Sequence, residues 1–308
     1  NNTQLRIESK KPVAHVMDRS KFDKTLYKEA LKAGANIELS TSVINVKGNT
    51  LFTQSNGKGG MKKADIIVAA DGVNSRLRKT VGIQSAPGDF VHSYQVKAAG
   101  TFDPRFVELY LGTTFAPDFF AWVIPESSES AKVGIGCRVG MNPVHAFNAF
   151  VREKQIDLHI RETNSFLIPC APPIRKLVHD PMILLGDAAY QTKATTGGGI
   201  IMNCKSADIL GDVIKDHIHH GKSLHEYETR MSPIFKELDM HWKIHSYQSR
   251  MTDAQLNAFF LKIKDAGIER FLAKEGDMDE PTNFVSKLFM NPGMIFLLPE
   301  AIRFALAK

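Results

Sequence analysis

The hydrophobic pattern changes twice along the chain. Continuous apolar runs at residues 64–70 (ADIIVAA) and 181–185 (PMILL) are typical of strands buried on both faces, as in a parallel sheet. Between about residues 90 and 170 apolar and polar positions alternate, which predicts an antiparallel sheet with one face in water. A helix is predicted over residues 144–154, and most of the chain after Ser223 has a helical pattern. Parallel strands on both sides of a β-rich insert predict a nucleotide-binding domain built from separated segments.

Shorter elements are predicted from local signals. Residues 12–17 (PVAHVM) predict a strand, and Asp18 or Ser20 then caps a helix that ends at Gly34. The segments NIEL, SVINV and NTLFTQ predict short strands, and NGKGGMKK predicts a hairpin turn. A long helix is predicted to follow a run of three glycines and to end at about His217.

The first candidate site follows the first apolar run. Asp71 and Gly72 predict a tight turn, in which glycine lets the backbone approach a ligand closely. Ser75 can cap the next helix, and Arg76 and Arg78 place positive charge near the turn. A strand–turn–helix connection without any ligand has the same sequence features, so this motif alone is not specific.

The second candidate site follows the second apolar run. Gly186 and Asp187 come first, and a glycine run at residues 197–199 then opens the long helix. Free N–H groups and the positive end of a helix dipole suit the electron-rich pyrimidine edge of a reduced flavin, and Asp187 suits a sugar-like chain of hydroxyls. The alternative is a flexible loop. Each glycine inside a helix lowers helix stability by about 1 kcal/mol relative to alanine. Three glycines at the start of a helix therefore favour a ligand site over a flexible loop.

Together the two motifs resemble those of the FAD-dependent group that contains the aromatic hydroxylases and the geranylgeranyl reductases. The resemblance covers about residues 12–207. It implies that FAD is the cofactor. The positions that match the group's flavin-contacting residues are Arg19, Val43, Asp71, Gly72, Asp187, Gly198, Gly199 and Ile200.

Two further segments resemble the reductases more than the hydroxylases. TTGGGI matches the reductases because no proline precedes the glycines. APDFFAWVIP, followed by VGIG, is similar to the reductase sequence that lines a cavity for the lipid chain. The substrate-binding residues that this resemblance implies are Phe120, Trp122, Ile124, Pro125, Gly134 and Gly136. Core residues of a sheet are the alternative interpretation of these positions.

The resemblance implies an α/β fold with three parts. We expect a FAD-binding Rossmann-like domain at residues 1–89 and 171–220, an antiparallel β-sheet substrate domain at 90–170, and a helical region at 221–308. The expected reaction is FAD-dependent saturation of geranylgeranyl double bonds in archaeal-type membrane lipid precursors. Two alternatives stay open: a FAD-dependent monooxygenase or halogenase of the aromatic hydroxylase group, and an inactive, truncated lipid-binding remnant.

Flavoproteins of this group hold the FAD pyrophosphate with a Gly-x-Gly-x-x-Gly turn, and this sequence contains none. The glycines at residues 57–60 precede a buried strand and do not follow one. We therefore expect an N-terminally truncated copy, a fragment or one half of a split protein, which binds FAD poorly alone. No proton donor or other catalytic residue is assigned.

The composition indicates which classes of binding partner to expect. Lys and Arg total 39 and Asp and Glu 33, and this excess of +6 favours anionic partners such as a phospholipid surface. The basic residues are dispersed, so nucleic acid is not expected. Three cysteines without zinc-ligand spacing predict a reduced, cytoplasmic protein with no metal site. His241 and His245 lie four residues apart, but the Glu of a His-Glu-x-x-His motif does not accompany them.

The expected partners are an isoprenoid lipid substrate and a reduced electron donor, either NAD(P)H or ferredoxin. No run reaches the roughly 18 apolar residues that a membrane span needs. Residues 284–308 are apolar with Lys and Arg at intervals, which is compatible with peripheral docking on the inner face of the cell membrane. A packed helix pair is the favoured alternative for this segment.

Overall fold

The computed structural model describes residues 3–10 and 12–290, which form an α/β fold. The strands are β1 (Thr41–Lys47), β2 (Thr50–Ser55), β3 (Lys58–Lys63), β4 (Ile67–Ala69), β5 (Phe90–Ala99), β6 (Glu108–Tyr110), β7 (Ala121–Pro125), β8 (Ser130–Arg138), β9 (His159–Pro169), β10 (Val178–His179) and β11 (Met182–Leu184). The helices are α1 (Arg19–Lys32), α2 (Arg76–Thr80), α3 (Pro143–Glu153), α4 (Ile200–His220), α5 (Glu226–Arg230), α6 (Ser232–Gln248), α7 (Asp253–Asp265), α8 (Ile268–Glu275) and α9 (Pro281–Met290).

The two continuous apolar runs form neighbouring parallel strands, as predicted. β4 pairs with β11 in parallel, with Ile67 opposite Met182 and Ala69 opposite Leu184. Their carboxyl ends therefore lie at one edge of the sheet. The expectation that both faces of β4 are buried is wrong at Val68, which is 38% exposed. In the part of the chain that the structure describes, no strand pairs with the other edge of β4.

Residues 90–169 form the predicted antiparallel sheet, in the order β6-β7-β8-β5-β9. Helix α3 covers one face, where Phe147 and Phe150 pack on Val133 and Ile135 of β8. The opposite face of the sheet was expected to lie in water. This expectation is wrong where a buried apolar cluster covers part of that face. Strand β9 was not predicted individually from the sequence, since this edge strand is largely exposed and lacks an apolar alternation.

The N-terminal elements are confirmed only in part. Asp18 caps α1 by accepting a hydrogen bond from the Lys21 N–H at 3.1 Å, and Gly34 follows the helix with φ +90°. The strand predicted at residues 12–17 is wrong: no neighbouring strand is present among the described residues to complete its ladder. NIEL is not a strand either, whereas KGGMKK is strand β3 and only the Asn56–Gly57 pair forms the hairpin turn.

Helix α1 exposes its apolar face. None of its residues, all of which the structure describes, is buried, and Leu26 and Leu31 are 50% and 43% exposed. An amphipathic helix is normally stabilised by packing of its apolar face against another element. Among the described residues, neither the apolar face of α1 nor the free edge of β4 has such a partner.

The largest core lies between the parallel sheet and the helices that follow it. Leu184 of β11, Leu210 of α4, and Tyr227 and Leu238 of α5 and α6 are among its buried members. Helical structure continues to Met290, as predicted. Pro292, Pro299 and most of the apolar segment 284–308, for which the sequence favours a packed helix pair over membrane docking, lie outside the described residues. Among residues 3–10 and 12–290, no helix combines the length and the apolar composition that crossing a bilayer requires.

Candidate functional site

The two glycine-containing motifs lie side by side at the carboxyl edge of β4 and β11, and a buried arginine joins them. Arg78 of α2 is 1% exposed, and its Nη1 donates to the Ala188 carbonyl oxygen at 3.0 Å. Its Nη2 donates to the Val73 carbonyl oxygen at 3.1 Å, and the guanidinium lies 4.7 Å from the centre of the Tyr190 ring. The motif's arginine therefore fixes one loop against the other.

Asp71 is occupied by the start of α2. One carboxylate oxygen accepts from the Ser75 hydroxyl at 2.5 Å, and the other accepts from the N–H groups of Arg76 and Leu77 at 2.8 and 3.2 Å. Gly72 has φ +79°, a conformation that favours glycine. These contacts shape the first loop, and the Asp71 side chain remains exposed at the sheet edge.

Asp187 and Asn203 form the polar part of the second loop. Asp187 Oδ1 accepts from the Thr192 hydroxyl at 2.8 Å and from Asn203 Nδ2 at 3.2 Å. Within the described residues, the buried Asn203 Oδ1 has no hydrogen-bond partner. A buried acceptor without a donor is unfavourable, so this corner suits a ligand that brings hydroxyl groups.

The glycine run at residues 197–199 forms the rest of the second loop. Gly197 has φ +69°, and α4 starts at Ile200 without a side-chain cap. The N–H groups of Ile200 and Ile201 meet no acceptor in the described parts of the chain. A Cβ added to Gly199 would lie 3.0 Å from Asp187 Oδ1 and 3.1 Å from Asn203 Nδ2. Open N–H donors at the start of a helix suit an electron-rich ring edge.

A buried polar cluster next to the glycine run was not predicted from the sequence. Lys193, with a side chain 9% exposed, forms an ion pair with Asp279. Thr195 Oγ1 lies 2.6 Å from Nδ1 of His241, and burial, together with the nearby Lys193 charge, lowers the pKa of His241 to about 4. The sequence holds one indication of this cluster. Lys193 is the only cationic residue between Gly186 and the glycine run.

An aromatic cluster at the start of β7 lies against the glycine run. The Phe119 and Phe120 rings stack with centroids 4.2 Å apart, and the Trp122 ring lies 5.8 Å from Phe120. All three residues are less than a tenth exposed. A Cβ added to Gly197 would lie 3.1 Å from Ile168 and 3.3 Å from Phe119, so the glycine run and the cluster are in direct contact.

The other residues assigned to the substrate occupy the same strand pair. Trp122 Nε1 donates to Gln95 Oε1 at 3.1 Å. Gly134 and Gly136 of β8 are buried beneath the aromatic rings. Ile124 is half-buried and Pro125 is buried at the far end of β7. These residues share one neighbourhood, and their contact with a substrate stays a prediction.

Arg19 and Val43 lie elsewhere. Among the described residues, Arg19 has one side-chain partner, Asp23 at 3.4 Å, and its side chain is 61% exposed. Val43 is half-buried in β1 and packs against the main core. Strand β1 packs against α2, the helix that follows the Asp71 loop, and the flavin contacts of Arg19 and Val43 stay predictions.

The residues at this edge fit part of a flavin nucleotide. The unpartnered N–H groups at the start of α4 can donate to the carbonyl oxygens of an isoalloxazine ring. Asp187 and the orphaned Asn203 Oδ1 can accept from ribityl hydroxyls. Gly198 and Gly199 leave no space for a Cβ, because Lys193, Asp187 and Asn203 already pack against that side of the loop.

Sequence comparisons identify similar proteins. A family model of the geranylgeranyl reductase catalytic domain matches residues 89–166. The digeranylgeranylglycerophospholipid reductase of Methanosarcina mazei is 30% identical over 280 residues, which cover 84% of this chain and 68% of that protein. Digeranylgeranylglycerophospholipid reductase 2 of Methanothermobacter thermautotrophicus is 29% identical over 282 residues, with 84% and 72% covered.

Solved structures share the fold. A geranylgeranyl bacteriochlorophyll reductase-like protein from Thermoplasma acidophilum superposes with a TM-score of 0.79 at 20% identity, covering 95% of this chain and 78% of that one. The flavin-dependent halogenase CmlS superposes with a TM-score of 0.60 at 14% identity, covering 92% and 60%. The α/β fold is therefore that of flavin-dependent enzymes.

Proposed function

The chain belongs to the digeranylgeranylglycerophospholipid reductase family, and from this we propose that it is a FAD-dependent oxidoreductase that saturates geranylgeranyl double bonds in archaeal-type membrane lipid precursors. One observation carries the proposal. The glycine run at residues 197–199, which suits a flavin ring, packs directly against the aromatic cluster of Phe119, Phe120 and Trp122, which suits an isoprenoid chain.

The flavin half of FAD is the part that these residues fit. The N–H groups at the start of α4 would bind the pyrimidine edge of the ring, and Asp187 and Asn203 would bind the ribityl chain. When bound and reduced, FAD would supply the hydride that the saturation of an alkene requires.

The aromatic cluster would hold the lipid. Phe120, Trp122 and Ile124 share one face of β7, and each square ångström of apolar surface that they cover stabilises a bound isoprenoid by about 25 cal/mol. Apolar rings around the reacting alkene also exclude water from it. Entry of a lipid requires these packed rings to separate, because they contact each other in this structure.

Partners and location follow from this function as proposals. A reduced electron donor, NAD(P)H or ferredoxin, would be needed to reduce the flavin. A lipid substrate and a formal charge of +6 favour contact with an anionic membrane surface from the cytoplasmic side.

The test is an anaerobic assay of the chain with FAD, dithionite and a digeranylgeranyl phospholipid. Mass spectrometry should detect products that have gained one pair of hydrogen atoms per saturated double bond. Replacement of dithionite by NADPH or by reduced ferredoxin then identifies the donor. Oxygen consumption with aromatic substrates, without saturation of the lipid, would overturn the proposal in favour of a monooxygenase.

A further inference from the structure

Lys193 is a buried cation directly under the glycine run. Its backbone N–H donates to the Gly198 carbonyl oxygen at 3.1 Å, and its own carbonyl oxygen accepts from the Gly197 N–H at 2.8 Å. A Cβ added to Gly198 would lie 3.0 Å from Lys193 Cε and 3.4 Å from Nζ. The backbone of the loop and the side chain of Lys193 therefore form one unit, with the ammonium next to the surface that suits the flavin.

The partner of Lys193 comes from the connection between α8 and α9. Its ammonium forms an ion pair with Asp279 and lies 3.4 Å from the Met278 carbonyl oxygen. Asp277 orders this connection by accepting from the Asp279 N–H at 2.7 Å. A second, more exposed ion pair joins the same connection to α4, between Lys205 and Glu280 at 3.2 Å.

Burial of the Lys193 ammonium is not explained by stability, since its partner Asp279 keeps 32% of its side chain exposed. Removing a charge from water costs about as much as its attraction to a counter-ion returns, so an apolar side chain of similar volume would stabilise the fold equally well. The exposed Lys205–Glu280 pair already ties the α8–α9 connection to α4. A positive charge held in a low-dielectric position acts strongly on any charge that develops beside it.

We propose that Lys193 supplies the positive charge that favours the reduced, anionic state of a flavin at the glycine run, and that Asp279 weakens this effect as its counter-ion. The inference rests on the proposed function, because it assumes a flavin at residues 197–199. Asp187, on the other side of the run, already accepts from Thr192 and Asn203. Lys193 is the nearest side-chain cation to Gly198.

The experiment measures the dissociation constant of the full chain for oxidised FAD and, anaerobically, for dithionite-reduced FAD. In Lys193→Met, the ratio of the reduced to the oxidised constant should rise about tenfold, which for two electrons lowers the midpoint potential of the bound flavin by about 30 mV. In Asp279→Asn the ratio should fall. Lys205→Met, which breaks the other tie of the same connection, is the matched control and should leave the ratio unchanged.

Opposite shifts in the two variants distinguish charge from structure. If the ion pair only held the α8–α9 connection in place, both variants would break it and would change the ratio in the same direction or not at all. Either of those results, with FAD still bound by the wild-type chain, would overturn the role of Lys193 and leave the proposed function standing. A wild-type chain that bound neither form would overturn the proposed function and this inference with it.

Discussion

Gly136 lies so close to Phe119 that a Cβ at the glycine would be 2.4 Å from Cδ1 of the ring. Gly134 has the same relationship to Trp122, where the nearest ring atom would also be 2.4 Å away. The two glycines of β8 therefore give two rings of the aromatic cluster room directly over the strand. Their part in this structure is to shape the wall that would hold a lipid.

Gly136→Ala should displace the Phe119 ring. We expect the free energy of unfolding to fall by about 1–3 kcal/mol, because the packed cluster has no space for another methyl group. Gly59→Ala is the matched control, since Gly59 is also a strand glycine and a Cβ there meets no atom within 4 Å. Urea denaturation of both variants checks this. Equal stability of the two variants would mean that the ring moves aside at no cost.

The contact can also be tested in a double-mutant cycle. Phe119→Leu removes the ring that the new methyl group would meet, so part of the loss caused by Gly136→Ala should be recovered in the double variant. Additive losses would contradict a direct clash.

Local patterns predicted the strands that carry the site, and long-range contacts supplied the rest. The two apolar runs were predicted to be buried strands of a parallel sheet, and the structure then places Asp71 and Asp187, which follow them, at one edge of that sheet. Nothing in either segment shows that Lys193 meets Asp279, because these residues are 86 positions apart in the chain. The strand predicted at residues 12–17 failed for a related reason, since a β-type pattern forms a strand only beside a partner.

Arg78→Met should destabilise the protein without changing its surface. Loss of the guanidinium leaves the carbonyl oxygens of Val73 and Ala188 without their donor, and we expect a loss of about 3 kcal/mol in the free energy of unfolding. Arg76→Met, two residues earlier and exposed, should change it by less than about 0.5 kcal/mol. Thermal and urea denaturation measure both, and a small effect at Arg78 would show that water replaces the lost donor.

Stability should fall in acid because of His241. Burial lowers the pKa of this imidazole from 6.5 to about 4, so the unfolded chain takes up a proton at a higher pH than the native state does. Protons therefore favour unfolding within this range. The native state loses up to about 3 kcal/mol as the pH falls from 6.5 to about 4, and the full stability is present above 6.5.

His241→Gln should make the stability less dependent on pH within that window, as measured by urea denaturation at several pH values. The exposed His145→Gln is the control and should keep the wild-type slope. Burial also lowers the pKa of His245, so a smaller slope should remain in His241→Gln. An unchanged slope in that variant would show that His241 takes up its proton at the same pH in the native and unfolded states.

Gly199→Ala should weaken flavin binding more than it weakens the fold. The new Cβ would press on Asp187 and Asn203, the two side chains that we propose to bind the ribityl chain. We expect at least a tenfold rise in the dissociation constant for FAD, equivalent to about 1.4 kcal/mol.

Gly211→Ala, further along α4, is the control, because a Cβ there meets no atom within 4 Å and alanine should stabilise the helix by up to about 1 kcal/mol. Fluorescence titration with FAD and urea denaturation separate binding from folding. Equal FAD affinities in the two variants would place the flavin away from the start of α4.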